Sequence, residues 1–193
     1  MARPREFDPD AALDSAMHVF WAQGYEATSL DDLCAATGLS RSSLYAAFGD
    51  KRALLLKSID RYTDERVAAF LGARLAGSLP IRRQIEAFLD ELIDRIVTGP
   101  GRRGCFLGNC AAELARDDRE AAAHVRRGFA HIEATFREAL ARARNKGEID
   151  GDIDALARFL MCATQGLRLV GKANRDREAL DDVKGVILRC LDD

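Results

Sequence analysis

Proline is scarce in this chain, with 4 residues among 193, and β-branched residues are few, whereas alanine, leucine, arginine and acidic residues abound. Because proline interrupts helices and β-branched side chains favour strands, this composition predicts an all-α protein. No apolar run reaches the roughly 18 residues that a membrane-spanning helix needs, so no membrane partner is expected. The start MARPREFDPD has no apolar run behind its basic residues, and a signal peptide is not expected.

Paired cysteines and clustered histidines are also lacking. The five cysteines are an odd number without a paired short spacing, which argues against disulfides and a zinc site and favours reduced thiols in a cytoplasmic protein. Cys34, Cys162 and Cys190 fall on apolar faces and are predicted core residues. His124 and His131 would lie about 10.5 Å apart along one helix, too far to share a metal ion. We expect neither a metal nor a cofactor.

Capping residues and apolar periodicity divide the chain into nine predicted helices. Asp8 and Pro9 open the first helix, and Ser29 with Asp32 forms a capping box for the second. Three short helices with a glycine turn are typical of a helix-turn-helix unit. We therefore predict a helix-turn-helix DNA-binding domain over 1–50 and a larger helical domain over 51–193, with helix 51–71 as connector. Caps included, the predicted helices cover about 8–24, 29–38, 40–48, 50–71, 81–97, 105–116, 119–146, 153–171 and 177–191.

The third helix has one apolar and one polar face. Leu44 and Phe48 are four residues apart and point into the core, which leaves Ser42 and Ala46 on the opposite side with Tyr45 beside them. A helix with such short donors can lie in the major groove of DNA. The alternative is a solvated polar face without a partner.

Groups around this helix are placed to hold phosphates. Arg41 and Ser43 lie in or near its first turn, Thr28 precedes the second helix, and Lys51 begins the fourth. Residues 1–66 nevertheless carry eight Lys or Arg and eleven Asp or Glu, a net charge of −3. Nucleic-acid modules are usually basic, so we expect modest non-specific affinity with a shallow salt dependence. Arg3 and Arg5 are expected to reach a groove as a terminal arm.

Two stretches carry a resemblance to a known family. FWAQGYEATSLDDL, from Phe20 to Leu33, and TGLSRSSLYAAFGDKRALL, from Thr37 to Leu55, make the chain similar to the TetR/AcrR family of transcriptional repressors. The segment from Gly147 to Leu160 is similar to a lesser degree. The resemblance implies an all-α homodimer that binds a palindromic double-stranded DNA operator and releases it when a small-molecule inducer binds. It also implies that the domain over 51–193 binds the inducer and dimerises. Ala46 departs from the larger side chain of many members, which leaves open what is read there. The implied DNA contacts are Thr28, Ser40, Arg41, Ser42, Ser43, Tyr45 and Lys51.

The most distinctive stretch after residue 80 is GRRGCFLGNCAAELA, which begins at Gly101. Its Cys105 lies at a predicted helix start behind two arginines, where the helix dipole and the cations favour the thiolate. The resemblance to the TetR/AcrR family adds that some members with a Gly-Cys pair at this position sense electrophiles or oxidants through the thiol. Cys105 is therefore a candidate redox or electrophile switch. The alternative is a structural thiol. GPGRRG, Gly99 to Gly104, fits a dinucleotide-binding pattern but follows a helix rather than a strand.

A small-molecule cavity is the other candidate sensor. Cys105, Asn109 and Glu113 form a stripe at helical spacing, which is either a set of polar anchors facing inward or a solvated edge. Apolar side chains of neighbouring helices are candidate walls. They are Phe88, Leu92, Phe129 and Phe136.

The last two predicted helices are candidates for the dimer interface. Small residues on the eighth helix would let a second helix approach closely, and two helices per subunit suit a four-helix interface. The predicted interface residues are Phe159, Ala163, Gly166, Leu167, Val170, Val183 and Ile187.

Two other classes of protein compete with a regulator. A cysteine-dependent enzyme using Cys105 would need a nearby base, and the three histidines are distant in sequence; we therefore predict that the protein is not an enzyme. A helical adaptor that only dimerises would bind no DNA sequence.

Overall fold

The computed structural model describes residues 7–99 and 101–191, and within these ranges the chain forms helices and no strand. The predicted all-α class is confirmed. Arg3 and Arg5 of the expected arm lie outside the described residues. The helices are α1 (Pro9–Gln23), α2 (Leu30–Thr37), α3 (Arg41–Phe48), α4 (Lys51–Arg61), α5 (Ile81–Thr98), α6 (Phe106–Leu114), α7 (Arg119–Asn145), α8 (Ile153–Ala173) and α9 (Arg177–Arg189).

The first three helices begin and end where their capping residues predict. The Asp8 side chain accepts hydrogen bonds from the amides of Asp10 and Ala11, and the Ser29–Asp32 capping box is formed in both directions. Gly38 ends α2 with a φ of 70°, in the left-handed region that glycine adopts without a steric cost. The turn between α2 and α3 therefore follows from local chemistry.

The head, which we define as α1 to α3 with the start of α4, has its own small core. α1 packs against α2 and α4, and α3 packs against the same two helices. Met17, Phe20, Leu33 and Leu44 are fully buried between them. This core fixes which side of α3 faces outward.

The fourth helix is longer than predicted and changes its winding. After Arg61 the chain continues as a π-helical segment, Tyr62–Gly72, and ends in an α-turn, Ala73–Leu75. The hydroxyl of Thr63, at the junction, donates to the carbonyl of Ile59 within the helix at 3.0 Å. π-Helical turns are rare and recur at functional sites, and this segment forms one wall of the cavity described below.

The remaining helices form the larger domain. α7 packs along α8 and α6, while α5 packs against α8 and α9. None of the helices in the described ranges has the length and apolarity needed to cross a membrane.

The cysteine prediction is wrong for two residues. Cys162 and Cys190 are exposed, and Cys34 is only half-buried. The reason is that α8 and α9 are apolar on their outer faces as well, where Phe159, Leu169 and other large side chains are exposed. An apolar neighbourhood in the sequence therefore does not identify the core in these two helices.

Candidate DNA-binding surface and ligand cavity

The outer face of α3 is presented as its spacing predicts. Leu44 and Phe48 are buried, whereas Ser42 and Ala46 are exposed and the Tyr45 side chain is 42% exposed. Anchoring on one side and exposure on the other leave this face free to contact a large flat partner or a groove.

Three serines cluster at the N-terminus of α3. Ser40 Oγ caps the helix by accepting from the amide of Ser43 at 3.2 Å, and it lies 3.0 Å from Ser42 Oγ and 2.9 Å from Ser43 Oγ. Hydroxyl groups rotate freely between partners. The cluster can therefore turn its protons outward to phosphate or base acceptors while the cap stays in place.

The basic groups beside α3 are already engaged. Arg41 pairs with Asp31 on α2, with Nη2 2.6 Å from Oδ1. The Lys51 ammonium lies over the Tyr25 ring, 4.4 Å from its centroid. The Asp31 carboxylate reduces the positive charge that Arg41 offers to DNA, whereas the Tyr25 ring orients the Lys51 ammonium and leaves its charge in place.

Thr28 does not lie on this surface. Its side chain is 1% exposed, and its hydroxyl donates to the carbonyl of Gly24 at 2.5 Å. The predicted DNA contact through the Thr28 side chain is therefore wrong in this conformation, because the hydroxyl closes the turn between α1 and α2 instead.

A cavity lies between the π segment, α5 and α8, with α1, α7 and the loop before α6 completing its walls. Its empty volume is about 830 Å³, a figure that includes the space open to solvent at its mouth. The lining is Trp21, Tyr62, Arg66, Val67, Phe70, Leu71, Phe88, Leu92, Arg95, Ile96, Gly101, Gly104, Cys105, Ile132, Thr164, Gln165 and Arg168.

The predicted stripe of Cys105, Asn109 and Glu113 divides among three environments. Cys105 is the N-cap of α6 and lines the cavity with 5% of its surface exposed. Asn109 donates to the carbonyl of Arg103 and accepts from Lys172, outside the cavity. The stripe is therefore not a common set of ligand anchors, because its last member, Glu113, turns toward the head.

Glu113 connects α6 to the head. Its two carboxylate oxygens accept hydrogen bonds from the backbone amides of Tyr25, at 3.0 Å, and Glu26, at 2.8 Å. A second link joins the start of α4 to the start of α7, where Arg52 makes a bidentate pair with Asp118 at 2.7 and 2.8 Å. This guanidinium lowers the pKa of the Asp118 carboxyl well below its usual range.

Two of the four predicted apolar wall residues line the cavity. These two residues are Phe88 and Leu92. Phe136 is buried behind Phe88, and their ring centroids are 5.8 Å apart. Phe129 packs elsewhere on the core. Sequence reasoning missed the π-segment residues and the arginines of the lining. The spacing of Tyr62, Arg66 and Phe70 on one helical face was the available signal.

Cys105 has one close polar neighbour in the cavity. The Tyr62 hydroxyl donates to Cys105 Sγ at 3.8 Å, and burial raises the pKa of that phenol. Cys110 lies deeper, and burial together with Glu113 raises the pKa of its thiol to about 12. Cys110 is therefore a protonated core thiol at neutral pH, and only Cys105 combines a thiol with access to the cavity.

The outer faces of α8 and α9 form an apolar patch. Phe159, Val170 and Val183 are exposed there. In the part of the chain that the structure describes, no heavy atom beyond the adjacent helix backbone lies within 4 Å of the point where a Cβ of residue 166 would be. The placement of Leu167 and Ile187 at an interface is wrong, because they are 3% and 2% exposed in the single chain and pack into its core. Leu169 and Val186, which the sequence analysis missed, are exposed large side chains of the same helices. Ala163, the remaining predicted residue, is partly buried against the core.

Comparison with known proteins decides the family. Residues 12–57 match a family model described as bacterial regulatory proteins, tetR family, and residues 81–187 match one described as tetracyclin repressor-like, C-terminal domain. The chain belongs to the TetR family. It is a DNA-binding transcriptional repressor of the TetR type.

Relatives of similar length are regulators as well. The chain is 34% identical to the uncharacterized HTH-type transcriptional regulator YezE of Bacillus subtilis (strain 168) over 100% of both chains. It is 33% identical to the HTH-type transcriptional repressor ComR of Escherichia coli (strain K12), over 97% of this chain and 90% of that one. Among solved structures, a cysteine mutant of the TetR-family regulator CifR in complex with 26-base-pair operator DNA aligns with a TM-score of 0.81 and 31% identity, over 97% of this chain and 98% of that one.

Proposed function

We propose that the protein acts as a homodimer on a palindromic operator and that a small molecule bound in the cavity releases it. Residues 1–50 form the DNA-binding domain in this proposal, and 51–193 bind the inducer and dimerise, with the fourth helix as connector. As a repressor it works on DNA in the cytoplasm. The observation that carries the proposal is the outer face of α3, where Tyr45 and Ser42 are exposed while Leu44 and Phe48 anchor the helix.

DNA contact is assigned to the exposed groups around α3. Ser42 and Tyr45 would meet base edges, and the serine cluster and Lys51 would hold phosphates. Arg41 would also bind a phosphate once its ion pair with Asp31 opens. This exchange is inexpensive, because both side chains are exposed and exposed ion pairs are weak. Solved complexes of CifR with operator DNA support DNA as the partner of this surface.

A dimer is needed because two recognition helices must reach half-sites about one helical turn of DNA apart. The exposed apolar patch on α8 and α9 is the surface that suits a second copy, with Phe159, Val170 and Val183 in contact and Gly166 allowing close approach. Burial of this patch would remove the exposed apolar side chains of α8 and α9 from water.

Release would pass along α6. This helix begins at Cys105 in the cavity and ends near Glu113, which holds the Tyr25 and Glu26 amides of the head. A ligand that displaces the start of α6 would also displace the head, and so bias the spacing of the two α3 helices in the dimer.

The DNA assignment is tested by selecting operator fragments from genomic DNA and measuring their retention. Tyr45→Ala should abolish specific retention without lowering the unfolding temperature, and Tyr45→Phe separates the contribution of the hydroxyl from that of the ring. Wild-type operator affinity in Tyr45→Ala, or selection of no fragment by the wild type, would contradict the proposal.

A second candidate signal is an electrophile or oxidant acting on Cys105. The observation that favours it is the position of this thiol in the cavity beside the Tyr62 hydroxyl. A quinone would add to sulfur, with the proton passing to the quinone oxygen. Operator release by a quinone should disappear in Cys105→Ser but persist in Cys190→Ser, whose thiol is exposed outside the cavity. If both variants respond like the wild type, the inducer is non-covalent.

A further inference from the structure

The cavity lining carries positive charge and no carboxylate. Of its 17 described residues, three are arginines, Arg66, Arg95 and Arg168, and none is aspartate or glutamate. The other walls are mostly aromatic and aliphatic. The charged groups that a ligand meets in this cavity are therefore guanidinium groups, and the rest of the surface that it contacts is mostly apolar.

The three arginines differ in how far neighbouring groups neutralise them. Arg66 pairs with Asp14 at 3.2 Å. Arg95 lies 3.4 Å from Glu91, and that carboxylate also pairs with Arg74. Within 7–99 and 101–191, no carboxylate pairs with Arg168. The cavity therefore keeps an excess of positive charge, which is concentrated on Arg168 and shared by Arg95.

The ring of Phe70 holds these guanidinium groups in place. The guanidinium carbons of Arg95 and Arg168 lie 4.7 and 5.7 Å from its centroid, with Arg74 at 5.4 Å. A cation–π contact orients a guanidinium without cancelling its charge or using all of its N–H donors. The donors of Arg168 stay available to an anion.

A further unpaired donor belongs to the cavity wall. The Trp21 Nε1–H is buried and has no hydrogen-bond partner among the described residues, and Trp21 contacts the Tyr62 ring edge-on with their centroids 5.2 Å apart. Buried donors without acceptors are costly. Because this donor has no accessible surface, the arginines of the lining, and not Trp21 Nε1, are the groups that a ligand oxygen can reach.

We propose that the cavity binds an amphipathic carboxylate, with its aromatic or branched apolar body between Tyr62, Phe70 and Phe88 and its carboxylate on the Arg168 guanidinium. Arginine binds carboxylates through two parallel hydrogen bonds, and the low-dielectric walls strengthen this charge pairing. A cationic ligand is disfavoured because no carboxylate of the described residues lines the cavity to receive it. This inference rests on the proposed inducer role of the cavity and names the class of inducer.

The chain provides its own probe, because Trp21 is its single tryptophan and lines the cavity. Three molecules with the same phenyl group on a four-carbon chain, 4-phenylbutyrate, 4-phenylbutanamide and 4-phenylbutylamine, are titrated while tryptophan fluorescence and heat of binding are measured. The carboxylate should bind about tenfold more tightly than the amide, equivalent to one charge-assisted hydrogen bond, and the amine should bind least.

Arg168→Gln should remove the preference for carboxylate over amide, and Arg168→Lys should keep part of it. Arg158→Gln is the matched control, because Arg158 lies on the same helix and pairs with Glu133 outside the cavity. Three results would overturn the proposal. The wild type could bind carboxylate and amide with equal affinity, Arg168→Gln could keep the preference for carboxylate, or none of the three molecules could show saturable binding.

Operator retention without ligand, measured in the same preparations, separates this inference from the function on which it rests. If the operator is retained and the carboxylates do not bind, only the ligand class is wrong. If no DNA fragment is retained while the carboxylates bind, the ligand class stands and the regulatory function is wrong.

Discussion

The outer face of α3 and the ligand cavity are built in opposite ways. The outer face of α3 is drawn from within one helix of eight residues, Arg41–Phe48, while the cavity is assembled from five helical segments and one loop that are far apart in sequence. The first is a surface on a small anchored helix, and the second is part of a packed interior. Substitutions on the α3 face should therefore change DNA binding alone, whereas those around the cavity should change stability and signalling together.

The largest expected effect comes from the anchor of α3. Leu44→Ala removes a side chain with no exposed surface and should destabilise the head by about 2–5 kcal/mol, since it leaves a cavity in the small core. Denaturant unfolding measures this loss. The exposed neighbour Ser42 provides the contrast, because Ser42→Ala should change stability by less than about 0.5 kcal/mol while altering operator affinity. An unchanged unfolding midpoint in Leu44→Ala would remove the distinction between the two faces.

This contrast also explains how much of the head could be predicted. Ser29, Asp32 and Ser40 act on backbone amides within three residues of themselves, and the spacing of Leu44 and Phe48 sets the outer face of α3. Such local interactions can be deduced from sequence. The Thr28 side chain could not be placed, since its rotamer depends on how the α1–α2 turn brings the Gly24 carbonyl toward it.

The larger domain was less predictable because its helices are apolar on more than one side. The residues flanking Leu167 include exposed Gly166 and exposed Leu169, so periodicity alone did not separate the core from the outer patch. The position of Arg95 and Arg168 in the cavity could not be predicted for a related reason. Their place in the cavity depends on Phe70 standing between α5 and α8, which is a tertiary arrangement.

The next effect concerns the link between the two regions. Glu113→Ala removes the acceptor of the Tyr25 and Glu26 amides and should cost about 1 kcal/mol, since these bonds are exposed to water. More importantly, an inducer should no longer release operator DNA at wild-type concentrations, although it still binds the cavity. Paired titrations of ligand binding and operator release measure this uncoupling.

Glu138→Ala is the control for Glu113, because it removes an exposed carboxylate from α7 without touching the head. Operator release should follow ligand binding in Glu138→Ala as it does in the wild type. If Glu113→Ala responds in the same way, α6 does not carry the signal.

A smaller effect, dependent on pH, is expected where α4 meets α7. The Arg52 guanidinium lowers the pKa of Asp118 in the folded chain, so the pair contributes stability that is fully present above the unfolded pKa near 3.8 and is lost as the pH falls through the folded value. Asp118→Asn keeps a side chain that can cap α7 and removes the charge. Its stability deficit should be constant between pH 7 and about pH 5 and shrink below about pH 4. A deficit independent of pH would assign the effect to capping.

The smallest effect tests why the head carries so little free positive charge. Asp31→Asn releases Arg41 from its partner, so non-specific DNA binding should strengthen and the slope of log affinity against log salt should steepen by about one unit as one more phosphate is neutralised. Asp64→Asn is the matched control, because it makes the same charge change in the π segment, away from α3. Equal slopes in both variants would mean that net charge alone governs the affinity. A steeper slope confined to Asp31→Asn would mean that the Asp31–Arg41 pair suppresses non-specific binding and leaves recognition to the uncharged donors of α3.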